Sequence, residues 1–435
     1  MSDRNGQGNA VLDGGADELF NEETLAWLRA RIAEIPLARL REQALDELRT
    51  LDQLLRQSRT PRLAVVGRRG AGKSSLINAL LGAEAAMVGH TGAMTMEPTW
   101  RSYEGPTGTL EILDTRGLQE GGSGAEGGVE ADPAVRQLAD TFTTTPPDVV
   151  LFLVKAKEAD AGIDGDLARL AHLGALMQRR TGQPMAVLAV VTQCDEVAPK
   201  RAPLHDPDAD PEGVSEKRER IDTISAELRK RLQRVNGLTL LDVVPVSSYL
   251  EWHGEVIRYD ERWNIDRLAQ TISQELPYDA LFQMARATQV LHLKRGIARR
   301  IVQASAMVAV GVAVAPLPVG DLLPMAAVQA SMVAAIASLS GPVTTKRLGE
   351  FGAALGITAG AAYGARELFR TLVQMVPGVG QLIGMGMAYA TTQALGAAAI
   401  AWFIENKRDA KALRERVKSD VKRYRKEAEA EGLEG

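Results

Sequence analysis

The sequence contains little that would support a secreted, disulfide-stabilised protein. Cys194 is the single cysteine among 435 residues, so no disulfide can form within the chain and a reducing compartment is expected. Residues 1–15 are polar and rich in glycine and lack the apolar segment of a secretory signal, which indicates a disordered lead-in. These absences predict a cytoplasmic protein.

Neither sign of charge dominates, and aromatic residues are scarce. The chain has 51 basic and 55 acidic residues, a formal net charge of −4, and only 4% aromatic residues. This balance does not indicate a nucleic-acid-binding protein. The charged basic helix predicted at 405–435 offers lysines and arginines to an RNA, but its interleaved acidic residues favour a solvated helix. A nucleic-acid or ribosome partner is therefore not the expectation, although it stays open.

Glycine is abundant, and one glycine-rich stretch carries chemistry. Residues 67–75 read GRRGAGKSS and match the pattern G-x-x-x-x-G-K-[ST]. Backbone N–H groups of such a loop and the N-terminus of the following helix hold phosphates, so a strand must enter the loop and a helix must leave it. The apolar run RLAVVG precedes the loop, and a helix-spaced segment ending at Gly82 follows it. The pattern predicts a nucleotide-phosphate site.

The residues of this predicted phosphate loop have distinct roles. The loop residues expected to bind nucleotide are Gly67, Arg68, Arg69, Gly70, Ala71, Gly72, Lys73, Ser74 and Ser75. The ammonium of Lys73 would stabilise the charge of the β- and γ-phosphates, and the hydroxyl of Ser74 would bind Mg²⁺. Arg68 and Arg69 could supply positive charge within the loop, but solvated side chains are the favoured interpretation.

A second motif, DTRG at 114–117, lies at the end of another apolar run. The carboxylate of Asp114 could hold a phosphate-bound Mg²⁺, and the N–H of Gly117 could meet the γ-phosphate. D-x-x-G is a weak signal alone, because Asp and Gly are ordinary turn residues. Its position after a phosphate loop makes it a strong one.

The region 60–276 alternates short apolar runs with amphipathic stretches. The strand candidates are RLAVVG, TLEILDT, DVVLFLVKA, MAVLAVVT and LDVVPVS. Unbroken Val, Ile and Leu runs between helical patterns predict an α/β fold with a doubly wound, mostly parallel sheet. Ligands of such sheets bind beyond the C-terminal strand ends, where the motifs lie.

A third motif, TQCD at 192–195, resembles the guanine-reading [NT]-K-x-D motif of translation-factor-class GTPases. Thr192 and Asp195 match, and Gln193 replaces the lysine. The Asp195 carboxylate can accept hydrogen bonds from guanine N1–H and the exocyclic amine, whereas adenine has no N1 donor. Ser247 and Ser248 stand loosely where the family carries S-A-K. The resemblance implies binding of GTP and GDP; an ATPase is the minor alternative that Gln193 leaves open.

The segment between the first two motifs and the residue after the second bear on hydrolysis. Thr95 is the candidate for the mobile threonine that joins Mg²⁺ when the γ-phosphate is present, with Thr91 and Thr99 as alternatives. Leu118 stands where Ras-like enzymes carry a water-orienting glutamine, which resembles the Era/TrmE group. That group often binds potassium through an asparagine at the position of Gly70, so potassium activation is not expected. Slow hydrolysis, raised by self-association or an activating partner, is expected.

Helical patterns flank the predicted GTPase region. Residues 16–58 show two apolar stripes broken at Pro36, and residues 285–404 are rich in alanine and glycine. Within 296–404 a pattern of apolar helix, Pro/Gly break and Ala/Met-rich helix occurs twice, which predicts two helical hairpins. Lys and Arg flank the hairpins but are missing from their tips at 316–324 and 377–384, a distribution that favours membrane association. A water-soluble bundle packed through small residues is the alternative.

Residues Pro316, Pro318, Asp321, Leu322 and Gln329 give the helical region a resemblance to bacterial Era-like GTPases with a C-terminal domain of unknown function. The resulting hypothesis is a slowly hydrolysing GTP switch coupled to a helical domain at the inner face of the cytoplasmic membrane. Two alternatives remain. One is a dynamin-like membrane-remodelling or scaffold GTPase; the other is a soluble ribosome- or RNA-associated GTPase.

Overall fold

The computed structural model describes residues 21–83, 98–105, 107–114, 133–159, 163–253, 256–314, 323–356 and 384–430. The chain divides into two compact units, which are described separately. The sheet unit consists of Thr60–Pro277 and Ala287–Leu293. The helical unit consists of Met1–Arg59, Tyr278–Arg286 and Lys294–Gly435.

The described chain begins with two helices of the helical unit. Helix α1 spans Glu22–Ala33, and its N-cap Asn21 accepts a 2.8 Å hydrogen bond from the backbone N–H of Thr24. Helix α2 spans Ala38–Leu55. The interruption between them falls at Pro36, as the sequence predicts, because proline has no N–H to continue the ladder.

The sheet unit contains a six-stranded sheet in the order β2-β3-β1-β4-β5-β6. The strands are β1 (Arg62–Gly67), β2 (Thr99–Glu104), β3 (Thr109–Asp114), β4 (Val149–Lys155), β5 (Met185–Thr192) and β6 (Leu238–Pro245). All neighbouring pairs are parallel except β2 with β3, which are antiparallel. The predicted α/β fold with a mostly parallel sheet is confirmed.

Helices cover the buried strands. They are α3 (Lys73–Leu81), α4 (Pro133–Thr144), α5 (Asp164–Thr181), α6 (Pro211–Leu232) and α7 (Ile265–Glu275). The core contains the apolar faces of these helices and strands, including Phe142 of α4, Phe152 of β4 and Leu170 of α5. The parallel strands therefore end together at one edge, where the loops carrying the motifs begin.

Two elements of the sheet unit were not predicted. Strand β2 is an edge strand, and none of its residues is fully buried. A separate antiparallel hairpin of β7 (Leu250–His253) and β8 (Val256–Asp260) follows the VSS segment. All residues of β8 are exposed. Both elements lack the continuous apolar run that identifies a strand buried on two faces.

The remaining helices belong mostly to the helical unit. They are α8 (Tyr278–Ala287), α9 (Leu291–Val314), α10 (Leu323–Ser338), α11 (Thr345–Leu355), α12 (Met385–Ala399) and α13 (Ala410–Ala430). A π-helical turn, Ile400–Ile404, extends α12. Most of the two predicted hairpin tips lies outside the described residues, so the hairpins stay a prediction.

Small residues bring these helices close together. A Cβ on Gly396 of α12 would lie 2.3 Å from Val302 Cγ2 of α9, and one on Gly311 would lie 2.9 Å from Ala44 Cβ of α2. Two segments, Leu291–Val314 and Met385–Ile404, are long and apolar enough to cross a membrane, but 67% and 72% of their apolar windows are buried within the structure. Buried core helices of soluble proteins satisfy the same criterion, so membrane association stays a prediction.

Candidate functional site

The phosphate loop lies between β1 and α3 and has the backbone geometry that the motif requires. Gly72 has a φ of 84°, a conformation that favours glycine, and α3 begins at the next residue. A Cβ on Gly67 would lie 2.8 Å from the carbonyl oxygen of Leu153 in β4, so only glycine fits there. Lys73 Nζ donates to the carbonyl oxygens of Gly67 and Arg68 at 3.2 Å each. The loop is thus closed around its own lysine.

The first loop arginine is not solvated, which corrects the sequence interpretation. Arg68 Nε lies 2.5 Å from Asp166 Oδ2, and the Asp166 residue is only 5% exposed. Glu158 lies near Arg68 at 4.0 Å and pairs with Lys155 at 2.9 Å. Burial raises the pKa of the Asp166 carboxyl, against the opposing effect of Arg68. Arg69 is exposed, as expected.

The DTRG motif is only partly described. Asp114 ends β3 and lies in register with Val65 of β1, at the same sheet edge as the phosphate loop. Gly117 and Thr95 lie outside the described residues. Hydroxyl and carboxylate oxygens, as in Ser74 and Asp114, are the donors that Mg²⁺ prefers, so these residue types fit the ion. Among the described residues, no cluster of three or more His, Cys, Asp or Glu side chains offers a separate metal site.

The TQCD motif contacts the phosphate loop directly. Thr192 Oγ1 donates to the carbonyl oxygen of Ala71 at 2.9 Å, and the residue is buried. Gln193 Nε2 donates to the carbonyl oxygen of Gly70, also at 2.9 Å. Gln193 itself has a φ of 57°. Two consecutive residues at the end of β5 therefore connect the TQCD segment to the phosphate loop.

The side chain of Asp195 is held by the VSS segment. The buried Ser247 hydroxyl donates to Asp195 Oδ1 at 2.9 Å. Ser248 Oγ is buried and has no hydrogen-bond partner within the described part of the chain. Cys194 packs behind the motif with its Sγ 3.3 Å from the carbonyl oxygen of Val191. Burial raises the pKa of the Cys194 thiol to about 12.

Lys217 of α6 is the residue at this site that the sequence analysis missed. The alternating charges of residues 215–235 are typical of a solvated helix face, but Lys217 is only 1% exposed, so this interpretation is wrong at that position. Its ammonium donates to the carbonyl oxygens of Asp195, Lys200 and Ala202. The available signal was its spacing, three residues after buried Val214 and four before buried Ile221.

Comparison with known proteins gives a family match within the sheet unit. Residues 62–191 match the family model described as 50S ribosome-binding GTPase. The chain carries a P-loop GTPase domain. The resemblance to Era/TrmE-like GTPases is confirmed, since the matched relatives include tRNA modification GTPases and GTPase Der.

The relatives match this GTPase domain over a limited length. The tRNA modification GTPase MnmE of Burkholderia ambifaria is 40% identical over 103 residues, which are 23% of this chain and 22% of that protein. GTPase Der of a Synechococcus species is 32% identical over 135 residues, 31% of this chain and 26% of that one. The chain thus spans about a quarter of the length of these two relatives.

Solved structures resemble the chain weakly. One of them is a variant of Era from Aquifex aeolicus bound to GDP and AlF4⁻, which is 19% identical to this chain. The match covers 61% of this chain and 70% of the Era chain, with a TM-score of 0.33. A superposition of this quality adds nothing to the assignment of the GTPase domain, which follows from the sequence matches.

Proposed function

We propose that the protein is a GTP-binding molecular switch that hydrolyses GTP slowly to GDP and phosphate. The observation that carries the proposal is the pair of hydrogen bonds from Thr192 and Gln193 to Ala71 and Gly70. These bonds join the phosphate loop to the TQCD segment, whose Asp195 carboxylate offers hydrogen-bond acceptors to a guanine base. A nucleotide that is bound through both its phosphates and its base requires the two segments to be held at a fixed distance from each other.

Each residue then has a chemical role. The ammonium of Lys73 neutralises charge on the β- and γ-phosphates, and the N–H groups at the start of α3 donate to the same oxygens. Ser74 and Asp114 would hold Mg²⁺, which supplies further positive charge at the phosphates. Asp195 accepts from guanine N1–H and the 2-amino group. Thr95 and Gly117, outside the described residues, are proposed to respond to the γ-phosphate.

Slow turnover is expected because Leu118 replaces a water-orienting glutamine. Hydrolysis that depends on an activating partner would be slow in the purified protein. Hydrolysis that depends on self-association would instead rise with protein concentration. A specific rate measured over a wide range of protein concentrations separates the switch from the dynamin-like alternative.

The proposed output is a change in the helical unit, either at a membrane or in solution. The burial of its apolar helices against one another favours a packed bundle. Carbonate washing of membranes from expressing cells distinguishes the two cases. An integral membrane protein resists the wash and loses that resistance when residues 296–404 are deleted, whereas a soluble bundle is never retained.

Equilibrium binding of fluorescent GDP, with and without Mg²⁺, tests the central proposal. The wild type should bind GDP and GTP, resist competition by ADP, and release phosphate from GTP. Lys73→Ala should lose most of the affinity and the hydrolysis. Lys230→Ala is a suitable control, since the Lys230 side chain is 67% exposed on α6. Equal competition by ADP would replace the GTPase proposal with an ATPase, and failure to bind either nucleotide would overturn it.

A ribosomal partner is the second candidate, because the matching family is described as ribosome-binding. Co-sedimentation with purified 50S subunits in the presence of a non-hydrolysable GTP analogue tests it. Binding that depends on the analogue would support this candidate; identical recovery with GDP, or none at all, would oppose it.

A further inference from the structure

Lys217 is a buried cation whose hydrogen-bond partners among the described residues are all neutral. Its Nζ lies 2.7 Å from the carbonyl oxygen of Ala202, 3.0 Å from that of Asp195 and 3.4 Å from that of Lys200. The residue is 1% exposed. Within the described part of the chain, no carboxylate lies within ion-pair distance of it. Its three N–H groups therefore all donate to backbone oxygens of one loop.

Such an arrangement is unfavourable for the free energy of folding. Taking an ammonium out of water is unfavourable, and neutral carbonyl oxygens compensate it less well than a carboxylate does. Burial accordingly lowers the pKa of Lys217, while the charges of Asp195 and Glu261 oppose the shift. A methionine could fill the same space without the electrostatic cost. The volume of the side chain therefore does not explain why a lysine is found here. The charge and the hydrogen-bond donors of the ammonium must be explained instead.

The acceptors indicate what Lys217 holds in place. One is the carbonyl of Asp195 itself, and the other two belong to the loop that follows it. Asp195 is thus fixed from two sides, its backbone by Lys217 and its carboxylate by Ser247. A cavity of about 600 Å³ lies beside Asp195 and is lined in part by Ala202, Lys217 and Glu261. Without the ammonium, the loop carbonyls would converge on an empty space and separate.

We propose that Lys217 is a positioning residue for guanine recognition, which orients the Asp195 carboxylate toward the N1–H and 2-amino donors of the base. The inference rests on the proposed function, since it requires that Asp195 reads guanine. Lys217 itself does not contact the nucleotide. It sets base selectivity and nucleotide affinity, and it leaves the hydrolytic step to the phosphate loop.

Comparison of GDP with inosine diphosphate tests this directly. Hypoxanthine keeps N1–H but lacks the 2-amino group, so a well-placed Asp195 should favour GDP by about 10- to 100-fold, the value of one hydrogen bond to a charged group. In Lys217→Met this ratio should fall by at least fivefold. The KM for GTP should rise, and kcat at saturating GTP should stay within twofold of wild type. Lys217→Arg, which keeps the charge and the donors, should retain most of the ratio.

Control variants distinguish a positioning role in base recognition from a role in fold stability alone. Lys230→Met removes an exposed lysine from the same helix and should change neither the ratio nor KM. If Lys217→Met lowers the melting temperature but keeps the wild-type ratio, the proposal is overturned and Lys217 only stabilises the fold. If Lys217→Met does not fold, Lys217→Gln keeps a donor without the charge and must show the lowered ratio. Absence of any GDP binding by the wild type would instead overturn the proposed function, and this inference with it.

Discussion

The side-chain amide of Gln193 donates a 2.9 Å hydrogen bond to the carbonyl oxygen of Gly70, across 123 residues of sequence. Gln193 occupies the position where related GTPases carry a lysine. The glutamine supplies a donor to the phosphate loop, although it lacks the charge and the longer aliphatic chain. The absence of the lysine therefore does not disconnect the TQCD segment from the phosphate loop, and nucleotide affinity should be retained.

Replacement of Gln193 measures how much this hydrogen bond contributes to the affinity for GDP. Gln193→Ala should raise the dissociation constant for GDP by about 3- to 10-fold, because a neutral hydrogen bond contributes about 0.5–1.5 kcal/mol. Gln193→Lys should bind at least as tightly as wild type, since an ammonium offers donors to the same carbonyl. Fluorescent GDP titrations check both. Unchanged affinity in Gln193→Ala would show that this hydrogen bond does not contribute to nucleotide binding.

Asp195→Asn should change the base preference from guanine to xanthine. Xanthine carries a carbonyl at position 2 where guanine carries an amino group. An asparagine amide can donate to that carbonyl and accept from N1–H, whereas it meets the guanine amine poorly. GDP affinity should fall by about 10- to 100-fold, as expected for loss of a charged acceptor, and xanthosine diphosphate should bind better than GDP. Persisting preference for GDP would mean that another residue reads the base.

Continuous apolar runs allowed the buried part of the fold to be predicted. Five strands lie where apolar segments such as RLAVVG and MAVLAVVT predicted them, because strands in the interior of such a sheet consist mostly of apolar residues. Strand β2 and the β7–β8 hairpin are half-exposed or exposed, and their mixed composition gives no such signal. The motifs were predictable for a related reason, since each lies within a few residues of a buried strand end.

The charged contacts behind the motifs were not predictable. Arg68 and Asp166 are 98 residues apart, and nothing local marks them as partners. Lys217 contradicts the average preference of lysine for solvent. Each of these charges is buried because a specific acceptor faces it in three dimensions. Sequence periodicity can indicate a buried position, but it does not identify the acceptor.

Cys194 should be chemically inert in the folded protein. Burial raises the pKa of its thiol from 9.0 to about 12, so at pH 8 it is about 1,000-fold less ionised than an ordinary thiol. Alkylation by iodoacetamide at pH 8 should therefore be slow in the native protein. The same chain in urea exposes the thiol and should react fast. Equal rates in the native protein and in urea would contradict the burial of this thiol.

Two glycines of the helical unit offer a matched pair of substitutions. Gly396→Ala would place a Cβ against Val302, whose Cγ atoms lie 2.3 and 2.5 Å from that position. The free energy of unfolding should fall by about 1–3 kcal/mol, and Val302→Ala should restore part of it. Gly296→Ala meets no atom within 4 Å and should stabilise its helix by up to about 1 kcal/mol. Urea unfolding monitored by circular dichroism checks the pair; equal effects would mean that α12 and α9 do not pack as described.

Arg68 is expected to stabilise the phosphate loop through Asp166. Removal of the guanidinium in Arg68→Ala leaves a carboxylate that is 5% exposed without its ion-pair partner. We expect a loss of about 3 kcal/mol in the free energy of unfolding at pH 8, the lower end for a broken buried pair, because the Arg68 side chain is 22% exposed. In an Asp166→Asn background the same substitution should cost much less.

The pH dependence of this loss follows from the raised pKa of Asp166. The folded protein keeps a proton on this carboxyl at pH values where the unfolded chain, whose aspartate has an ordinary pKa of 3.8, has lost it. The contribution of Asp166 to stability therefore falls as pH rises through the folded pKa. Arg68→Ala raises that pKa further, because Arg68 lowers it. The difference between variant and wild type should thus be smaller at pH 5 than at pH 8, and an equal difference at both would show that Arg68 acts through packing and not through its charge.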